Sequence, residues 1–477
     1  MIITDSRKLF GRTTIYSAYE EVTKDNLLDI LKGAIQIHNS NSADIDYLWK
    51  YMKGNQPIWM RKKEIRNEIN NKMVENHAYE IVTFLSGYLM GEPCTYVNRG
   101  NKDTSSEEIN KLNAYMFEED KASSDKELSM WMYICGLGYR MILPDQDVVS
   151  GGIEDSPFEI DVLDPRFTFM VYSHGFGKKR LMGVKKIVRI VNGSETVLYC
   201  GYTKTHYFEC TDNRILKYEP HVLGDIPIFE YRANMALLGA FEPVISMLDA
   251  INTIASNRID GIEQFVQSFV KFINCDIDEE KFKALKEMGA IKIRSVEGLQ
   301  ADVDVMTQEL NQMQTQTLVD HLYNIVLTIC GLPTTNRSQG GSSDNGVAVI
   351  LRQGWEQCEA RARDTELLFK KTEKEFLKLV LKIIKDSGKG INLKISDLDI
   401  KFTRRQHDNL LTKSQALLEM LNAGLDPEIA IATCGLFNDP MDVANKSKKY
   451  LDNKWAVKEE PIVNVNKPVV SEVQEDE

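Results

Sequence analysis

One helical pattern in this sequence is too long for a small globule. Between residues 347 and 386, Leu351, Trp355, Cys358, Ala362, Thr365, Phe369, Thr372, Phe376, Leu379 and Ile383 follow a 4,3,4,3 rhythm. At ~1.5 Å per residue this is a rod ~55–60 Å long. Its stripe has the spacing of a bundle or core seam, with Thr at two positions as the irregularity. Gly388-Lys389-Gly390 ends it. A rod of that length needs several other elements to cover it, so the chain must build a large body around it.

A polar stretch precedes the rod. Asn336, Arg337, Ser338, Gln339, Gly340, Gly341, Ser342, Ser343, Asp344 and Asn345 carry no large apolar side chain. Compact domains usually join helices with ~2–8 residues. The glycines offer pivots, and the charges of Arg337 and Asp344 cancel. Its amides and hydroxyls suit contact with a phosphate backbone without base reading. No Gly-Lys-Ser/Thr follows, so it is not a nucleotide-binding P-loop. On residues alone it is either a plain linker or a loop that tracks a moving polymer.

Upstream, residues 24–38 begin a helix with Leu27, Leu28, Leu31 and Ile35 in register. "YLWKYMKGNQPIWMRKK" is aromatic-rich and broken by Gly54 and Pro57. Residues 76–90 predict a helix that stops at Gly91-Glu92-Pro93. A strand "CTYVN" and short helices over 106–117 and 124–137 follow. From "YRMILPD" to "RILKYEPHVL" the period changes to that of strands. Residues 242–267 are helical again, with Pro243 in the first turn, where its missing N–H is harmless. "SFVKFINC", "AIKIRS" and "ADVDVMT" read as strands around a short helix "DEEKFKALKEMG", and 309–331 as a helix. A small α/β insert thus hangs between the ends of two long helices. After the rod, "INLKISDLDIKFTR" alternates as a strand, and 407–424 and 427–450 are helical. The last segment loses periodicity and reads as a flexible tail. The fold class is α+β, mainly helical.

Composition narrows the function. The 477 residues are 43% apolar and 27% charged, ordinary for a folded protein. Seventy acidic residues against 58 basic ones give a net charge of −12. Tight DNA binding calls for a basic stripe; this balance reads first as an acidic, soluble cytosolic protein, and if the chain meets nucleic acid it would let it slide rather than hold it. No signal-peptide core and no membrane span are expected. Eight scattered cysteines without a C-x-x-C pair read as reduced core thiols. No G-x-S-x-G or H-E-x-x-H occurs. His407-Asp408 reads as a helix cap and His321 as a packed or interfacial histidine. Asp302 with Asp304, and Asp397 with Asp399, share strand faces. Such pairs can hold a metal, but on alternating strands they are more often a solvated face. No catalytic, metal or cofactor site is expected.

Five stretches, in this order, carry a family resemblance. They are "YMKGNQPIWMRKK", with Tyr51-x-x-Gly54-x-x-x-Ile58; "AYEIVTFLSGYLMGEPCTYV", with Gly87-Tyr88-x-x-Gly91-x-Pro93; "IDVLDPRFTFMVYS"; "LGDIPIFEYRANMALLGAFEPVISMLDAIN", with Ile226-Pro227-x-x-Glu230-x-x-x-Asn234; and the loop and long helix of 334–386. Together they resemble the portal proteins, or head-to-tail connectors, of tailed bacteriophages, especially those of phages of Gram-positive hosts.

The resemblance implies a ring of twelve subunits around a DNA channel. It implies an N-terminal arm (1–24), a wing (25–240), stem helices (241–267 and 309–332) and a clip (268–308). A tunnel loop (333–348), a long wing helix and strand (349–403), a helical crown (404–452) and a flexible acidic tail (453–477) complete it. The tunnel loop, residues 336–345, would face DNA. Arg258 and Asp260 become channel-lining candidates on the stem, and Lys292, Arg294, Asp302 and Asp304 partner-binding candidates on the clip. The implied partners are other copies of the chain, double-stranded DNA, the terminase large subunit, head-completion and connector proteins, and major capsid and scaffolding proteins. The implied location is the portal vertex of the virion, after assembly in the host cytoplasm. No cofactor, enzymatic activity or membrane contact is implied; ATP hydrolysis would belong to the motor. Only Arg337 is basic in the loop, which departs from a DNA-gripping role. The rival readings are a cytosolic helical oligomeric adaptor with a disordered linker, and a metal-dependent nuclease using Asp302/Asp304 or Asp397/Asp399.

Overall fold

A computed structural model describes residues 8–64, 67–99, 106–145, 156–191, 194–266, 269–273, 302–306, 312–334, 354–388, 391–404, 410–437 and 440–455. The expected tunnel-loop residues 336–345, together with Lys292, Arg294, His407 and Asp408, lie outside these ranges.

The described chain opens with strand β1 (Ile15–Ser17) and helix α1 (Leu27–Met52). α1 begins within the expected 24–38 stretch and continues to Met52 through a run rich in Asn, Ser and Asp. That run stays helical because its polar groups are occupied elsewhere. Asn41 accepts the Thr13 N–H at 3.0 Å and donates to the Thr13 carbonyl at 2.8 Å, while Ser42 donates to the Arg166 carbonyl at 2.8 Å. A short 3-10 turn at Pro57–Met60 follows. Helix α2 (His77–Leu89) starts where Asn76 accepts the Tyr79 N–H, a side-chain N-cap. Then come β2 (Thr95–Asn98), α3 (Ser106–Glu118) and α4 (Lys121–Cys135).

The middle of the chain is β-rich, as its alternation predicts. β3 (Leu137–Pro144), β4 (Phe158–Leu163) and β10 (Ile228–Arg232) form an antiparallel sheet in the order β10-β3-β4. β5 (Thr168–Ser173), β6 (Arg180–Val191), β7 (Ser194–Thr203), β8 (His206–Cys210) and β9 (Ile215–Pro220) run as an antiparallel meander, with β1 added in parallel beside β5. The first half of α1 covers this second sheet. Leu27, Ile30, Leu31 and Ala34 pack with Phe169, Val171, Met182 and Val184 in one buried cluster.

A 3-10 turn at Glu242–Val244 leads into α5 (Ile245–Val266). β11 (Phe269–Ile273) and β12 (Asp302–Met306) pair antiparallel, and α6 (Gln312–Cys330) follows. The rod is α7 (Trp355–Asp386). After it, β13 (Leu398–Lys401) pairs with β2. Three helices close the described chain: α8 (Leu410–Asn422), α9 (Pro427–Cys434) and α10 (Pro440–Trp455).

Two expectations are corrected here. The strand expected over "INLKISDLDIKFTR" is only four residues long, because Ile395–Asp397 forms a 3-10 turn that the Asp397 carboxylate caps back onto the Lys394 N–H. Asp397 and Asp399 therefore do not share a strand face. The single helix expected over 427–450 is two, since Gly435 closes α9 in the left-handed region and Pro440 begins α10.

The largest core surrounds α7. Cys358, Ala362, Thr365, Phe369, Phe376, Leu379 and Ile383 of its stripe are buried. The two threonines in the stripe have a specific task. β10 is an edge strand, and edge carbonyls need donors. Thr365 donates to the Ala233 carbonyl at 3.3 Å, just past β10, and Thr372 donates to Glu230 at 3.2 Å. Cys135, Cys210, Cys330, Cys358 and Cys434 are buried free thiols, and burial pushes Cys135 up to about 12. No helix among the described residues is long and apolar enough to cross a membrane.

Candidate functional site

α5 and α6 lie antiparallel. Arg258 on α5 donates to Gln316 near the start of α6 at 2.6 Å, and Gln316 donates to Asp320 at 2.7 Å. At the other end, the Cys330 thiol reaches the Ala240 carbonyl at 3.4 Å. Where α5 ends and α6 begins, the chain carries the β11/β12 ladder. In that ladder Asp302 stands opposite Ile273, and Asp304 opposite Lys271.

A polar ladder fixes α5 against an extended strap formed by residues 71–75. Asn252 accepts the Glu75 N–H at 2.8 Å, Ser256 the Met73 N–H at 3.0 Å, and Asp260 the Asn71 N–H at 2.8 Å. The acceptors are spaced by four and the donors by two. Four helical residues rise ~6 Å, and two extended residues span ~6.6 Å, so the two repeats nearly match. The same Asn252 donates to Gln56, and Gln56 donates to the Tyr51 carbonyl at 3.3 Å. The Tyr51-x-x-Gly54-x-x-x-Ile58 stretch is thus part of the mount of this helix.

The two stem candidates part company. Arg258 is half-buried and bridges the helix pair. Asp260 is 2% exposed and paired with Lys63 at 2.6 Å and Arg61 at 3.0 Å. Burial alone would raise its carboxyl pKa. The Lys63 ammonium, the Asn71 amides and Arg61 outweigh that and hold it below the usual carboxylate range. Asp260 anchors the strap and does not present a charge to solvent within the subunit. His321, expected to be packed or interfacial, is exposed in the subunit.

Just past the strap, α2 meets α6 directly. The His77 ring packs at a tilt of 34° on Tyr323 of α6 with ring centroids 4.5 Å apart, and Tyr323 donates to Glu80 at 2.8 Å. The His77 ring nitrogens face Glu80 at 2.8 Å and Glu75 at 3.3 Å. Burial lowers the histidine pKa, but these two carboxylates outweigh it and the net shift is upward.

The described residues on either side of the polar stretch are packed. On one side α6 closes through the Leu332 N–H to the Leu327 carbonyl at 2.8 Å. On the other, Trp355 packs with Phe84 and Tyr88, each at 6.0 Å. Tyr88 donates to Glu359 at 2.9 Å, and Arg404 grips Glu359 through two hydrogen bonds at 2.9 Å and reaches Glu366 at 2.8 Å.

The densest charge cluster lies elsewhere and is sealed. Glu373 in the middle of α7 receives Tyr96 and Tyr231 hydroxyls at 2.6 Å each, Lys121 at 3.1 Å and Arg140 at 3.2 Å; Asp125 binds both Lys121 and Arg140. Arg140 and Glu373 are fully buried, and Lys121 and Asp125 nearly so. Burial raises the Glu373 pKa, but the two cations and two hydroxyls outweigh it and hold the carboxyl down to about 2. Two acids neutralise two bases, which leaves a structural crosslink between α4, β3 and α7 that no substrate reaches. Asp399 of the suggested metal pair is occupied by Lys401 at 3.2 Å and by the Ile400 N–H at 2.9 Å. Among the described residues, no three His, Cys, Asp or Glu side chains are placed to hold a metal ion.

Sequence reasoning missed Asn252, Ser256 and Glu373. For the first two a signal exists: polar residues at i, i+4 and i+8 inside an apolar helix. Glu373 has no local signal, because its partners come from four distant segments.

The family described as "Phage portal protein, SPP1 Gp6-like" matches residues 31–454. The chain belongs to this family. It is a phage portal protein, a component of the head-to-tail connector. Two solved structures are similar to this portal chain at 12% identity. "Virion of native gene transfer agent (GTA) particle" has a TM-score of 0.47, with 83% of this chain and 94% of that one covered. "Neck of empty GTA particle computed with C6 symmetry" has a TM-score of 0.46, with 76% and 90% covered. No curated protein sequence matches the portal chain.

Proposed function

We propose that this portal protein closes into a ring of twelve copies whose channel passes double-stranded DNA into and out of the capsid without reading its sequence. The observation that carries this is the antiparallel pair α5/α6, which bears the β11/β12 ladder at one end and is mounted by the strap on the rest of the chain, within a family match that spans residues 31–454. In this reading α5 and α6 are the stem, and 268–308 is the clip. Residues 25–240 with 349–403 are the wing, and 404–452 the crown. The stretch 336–345 is a tunnel loop. The packed residues Leu332 and Trp355 that precede and follow it suit a loop that is held at its base while its polar residues meet moving phosphates. The net charge of −12 suits low friction, since an acidic wall repels the DNA backbone. Arg258 is the stem residue left to touch the channel, with Asp260 committed to the strap.

The clip, with Lys292, Arg294, Asp302 and Asp304, is the docking surface for the terminase large subunit during packaging and for head-completion and connector proteins afterwards. ATP hydrolysis belongs to that motor, and the portal itself is not an enzyme. Major capsid and scaffolding proteins meet it at the portal vertex during assembly in the cytoplasm of a Gram-positive host. No cofactor takes part.

Electron microscopy of the purified protein tests the ring. End-on class averages with a central hole wide enough for duplex DNA are expected. Holeless small particles at every concentration and salt would favour the oligomeric adaptor. Deleting residues 336–345 is expected to leave rings intact while impairing packaging or DNA retention; loss of folding would sink the tunnel-loop assignment. Lys292→Glu with Arg294→Glu is expected to weaken motor or connector docking with rings preserved.

A further inference from the structure

The C-terminal helices carry apolar side chains on two sides. α8 packs on α9 with Ala416, Leu417 and Met420 half-buried, opposite the buried Ala430, Ile431 and Cys434. On the other side of α8, Leu418 is 59% exposed and Leu421 40%, and Leu425 just beyond its end is 44% exposed. Leu411, also exposed, lies seven residues before Leu418. Positions 411, 418 and 421 keep the a/d spacing of a helix–helix seam, and Leu425 follows them past the turn at Gly424, where φ is +82°, so the surface is shaped for another helix. α10 supplies a second open surface, more charged, with Tyr450 and Leu451 as its apolar side chains. Every residue from Asn445 to Asp452 is exposed, Leu451 at 48% among them. Helices this short are marginal without packing.

A closed ring needs two different complementary faces on each copy. We propose that the leucine stripe of α8 packs against the Leu451 end of α10 from the neighbouring copy, so that this helical unit completes its core only on assembly. This rests on the ring reading above. Charge complementarity selects the occupant. Exposed Glu419 lies beside the stripe, Asp426 caps α9 through the Glu428 N–H at 2.8 Å, and the end of α10 carries exposed Lys448 and Lys449 ahead of Asp452. Lys446 is already taken by Asp442 at 2.6 Å, whereas Glu419, Lys448 and Lys449 have no ion-pair partner among the described residues. An apolar seam with a charged rim is the composition of a protein–protein contact, and a leucine stripe does not suit DNA.

Hydrogen exchange and mass photometry on full-length protein test the pairing. In wild-type rings, amides of 445–452 are expected to be protected, and in dilute monomer they are expected to exchange freely. Leu418→Glu with Leu421→Glu is expected to abolish that protection or shift rings to monomers, with the unfolding midpoint of the monomer unchanged. Glu419→Lys alone, and Lys448→Glu with Lys449→Glu alone, are each expected to weaken rings, and the three substitutions together to restore them. Unchanged protection in the leucine variant, or no rescue by the combined charge reversal, overturns the proposal. Variant rings that keep their protection but lose scaffolding-protein binding would overturn it too, by assigning the stripe to that partner. A wild type that forms no ring at any concentration overturns the ring reading itself, which is visible before any variant is made.

Discussion

The body around α7 and the three C-terminal helices draw on the same sequence device, apolar residues at helical spacing, and use it in opposite ways. Around α7 the stripe is sealed within one chain. Phe369 and Phe376 are fully buried, the threonines serve an edge strand, and Glu373 is neutralised where it stands. In α8–α10 much of the apolar surface stays open. The first region realises its hydrophobic free energy on folding. The second keeps part of it for a later association. A sequence pattern alone does not separate these cases, since a stripe shows that a helix will be covered but not by which chain.

The contrast is sharpest at Glu373. Glu373→Ala leaves buried Arg140 and Lys121 with Asp125 as the one anion between them, and breaking a buried ion pair in this way typically costs about 3–5 kcal/mol. Urea denaturation of the subunit is expected to show a loss of that size; a loss under ~1 kcal/mol would mean the interior tolerates the open charges. The pH dependence has a defined sign. The folded pKa lies below the ordinary 4.5, at about 2. This stabilisation is therefore present above 4.5 and disappears as pH falls toward 2. Glu373→Gln is expected to flatten that part of the stability curve.

A smaller effect is expected at the ladder. Asn252→Ala orphans the Glu75 N–H, which typically costs ~1–3 kcal/mol. Faster amide exchange at Glu75 and Met73, with α7 amides unchanged, would separate a loosened strap from global destabilisation. At His77 the effect is smaller again, under ~1 kcal/mol, because Glu75 and Glu80 are partly solvated. Its folded pKa is raised, so its contribution is full below 6.5 and fades as pH rises through the folded value. The stability gap between wild type and His77→Ala is expected to shrink from pH 6 toward pH 8. The smallest effect on the subunit belongs to Leu418→Ser with Leu421→Ser. Exposed sites of this kind shift stability within ~0.5 kcal/mol. A monomer destabilised by several times that amount would mean the stripe is packed at home, and the contrast between the two regions would collapse.

Much of the fold was legible in the sequence because its signals are local. The stripe of α7, the alternation from β3 to β10 and the proline at the start of α5 each report on their own neighbours. Element extents were less legible where polar residues found partners far away. α1 ran through Asn41 and Ser42 because Thr13 and Arg166 take their hydrogen bonds. The Ile-Pro-x-x-Glu-x-x-x-Asn stretch carried the resemblance without revealing its reason. Glu230 accepts the Tyr139 hydroxyl at 2.9 Å. Asn234 bonds the Ala236 and Leu238 N–H groups at 3.1 and 3.0 Å and the Leu238 carbonyl at 2.7 Å. These bonds brace Leu237 at a φ of +54°, a conformation disfavoured for leucine. Gly136 stands against that turn, where an added Cβ would lie 2.3 Å from Leu237 backbone atoms. Of the proposed site, only the order of its parts was readable. Asp260 looked like an exposed mid-helix charge because Lys63 and Asn71 are almost two hundred positions away in the chain.

The ladder between α5 and the strap behaves as a vernier. Its two scales differ by ~0.6 Å per division, so their marks coincide over only a few rungs before drifting out of hydrogen-bond range. Such a scale has one reading. If α5 slid by one turn so that Glu75 met the preceding position on that face, it would find Leu248, which offers no acceptor. A helix mounted this way can bend or tilt with its strap, but it cannot creep along it by a turn under an axial load without breaking its rungs together.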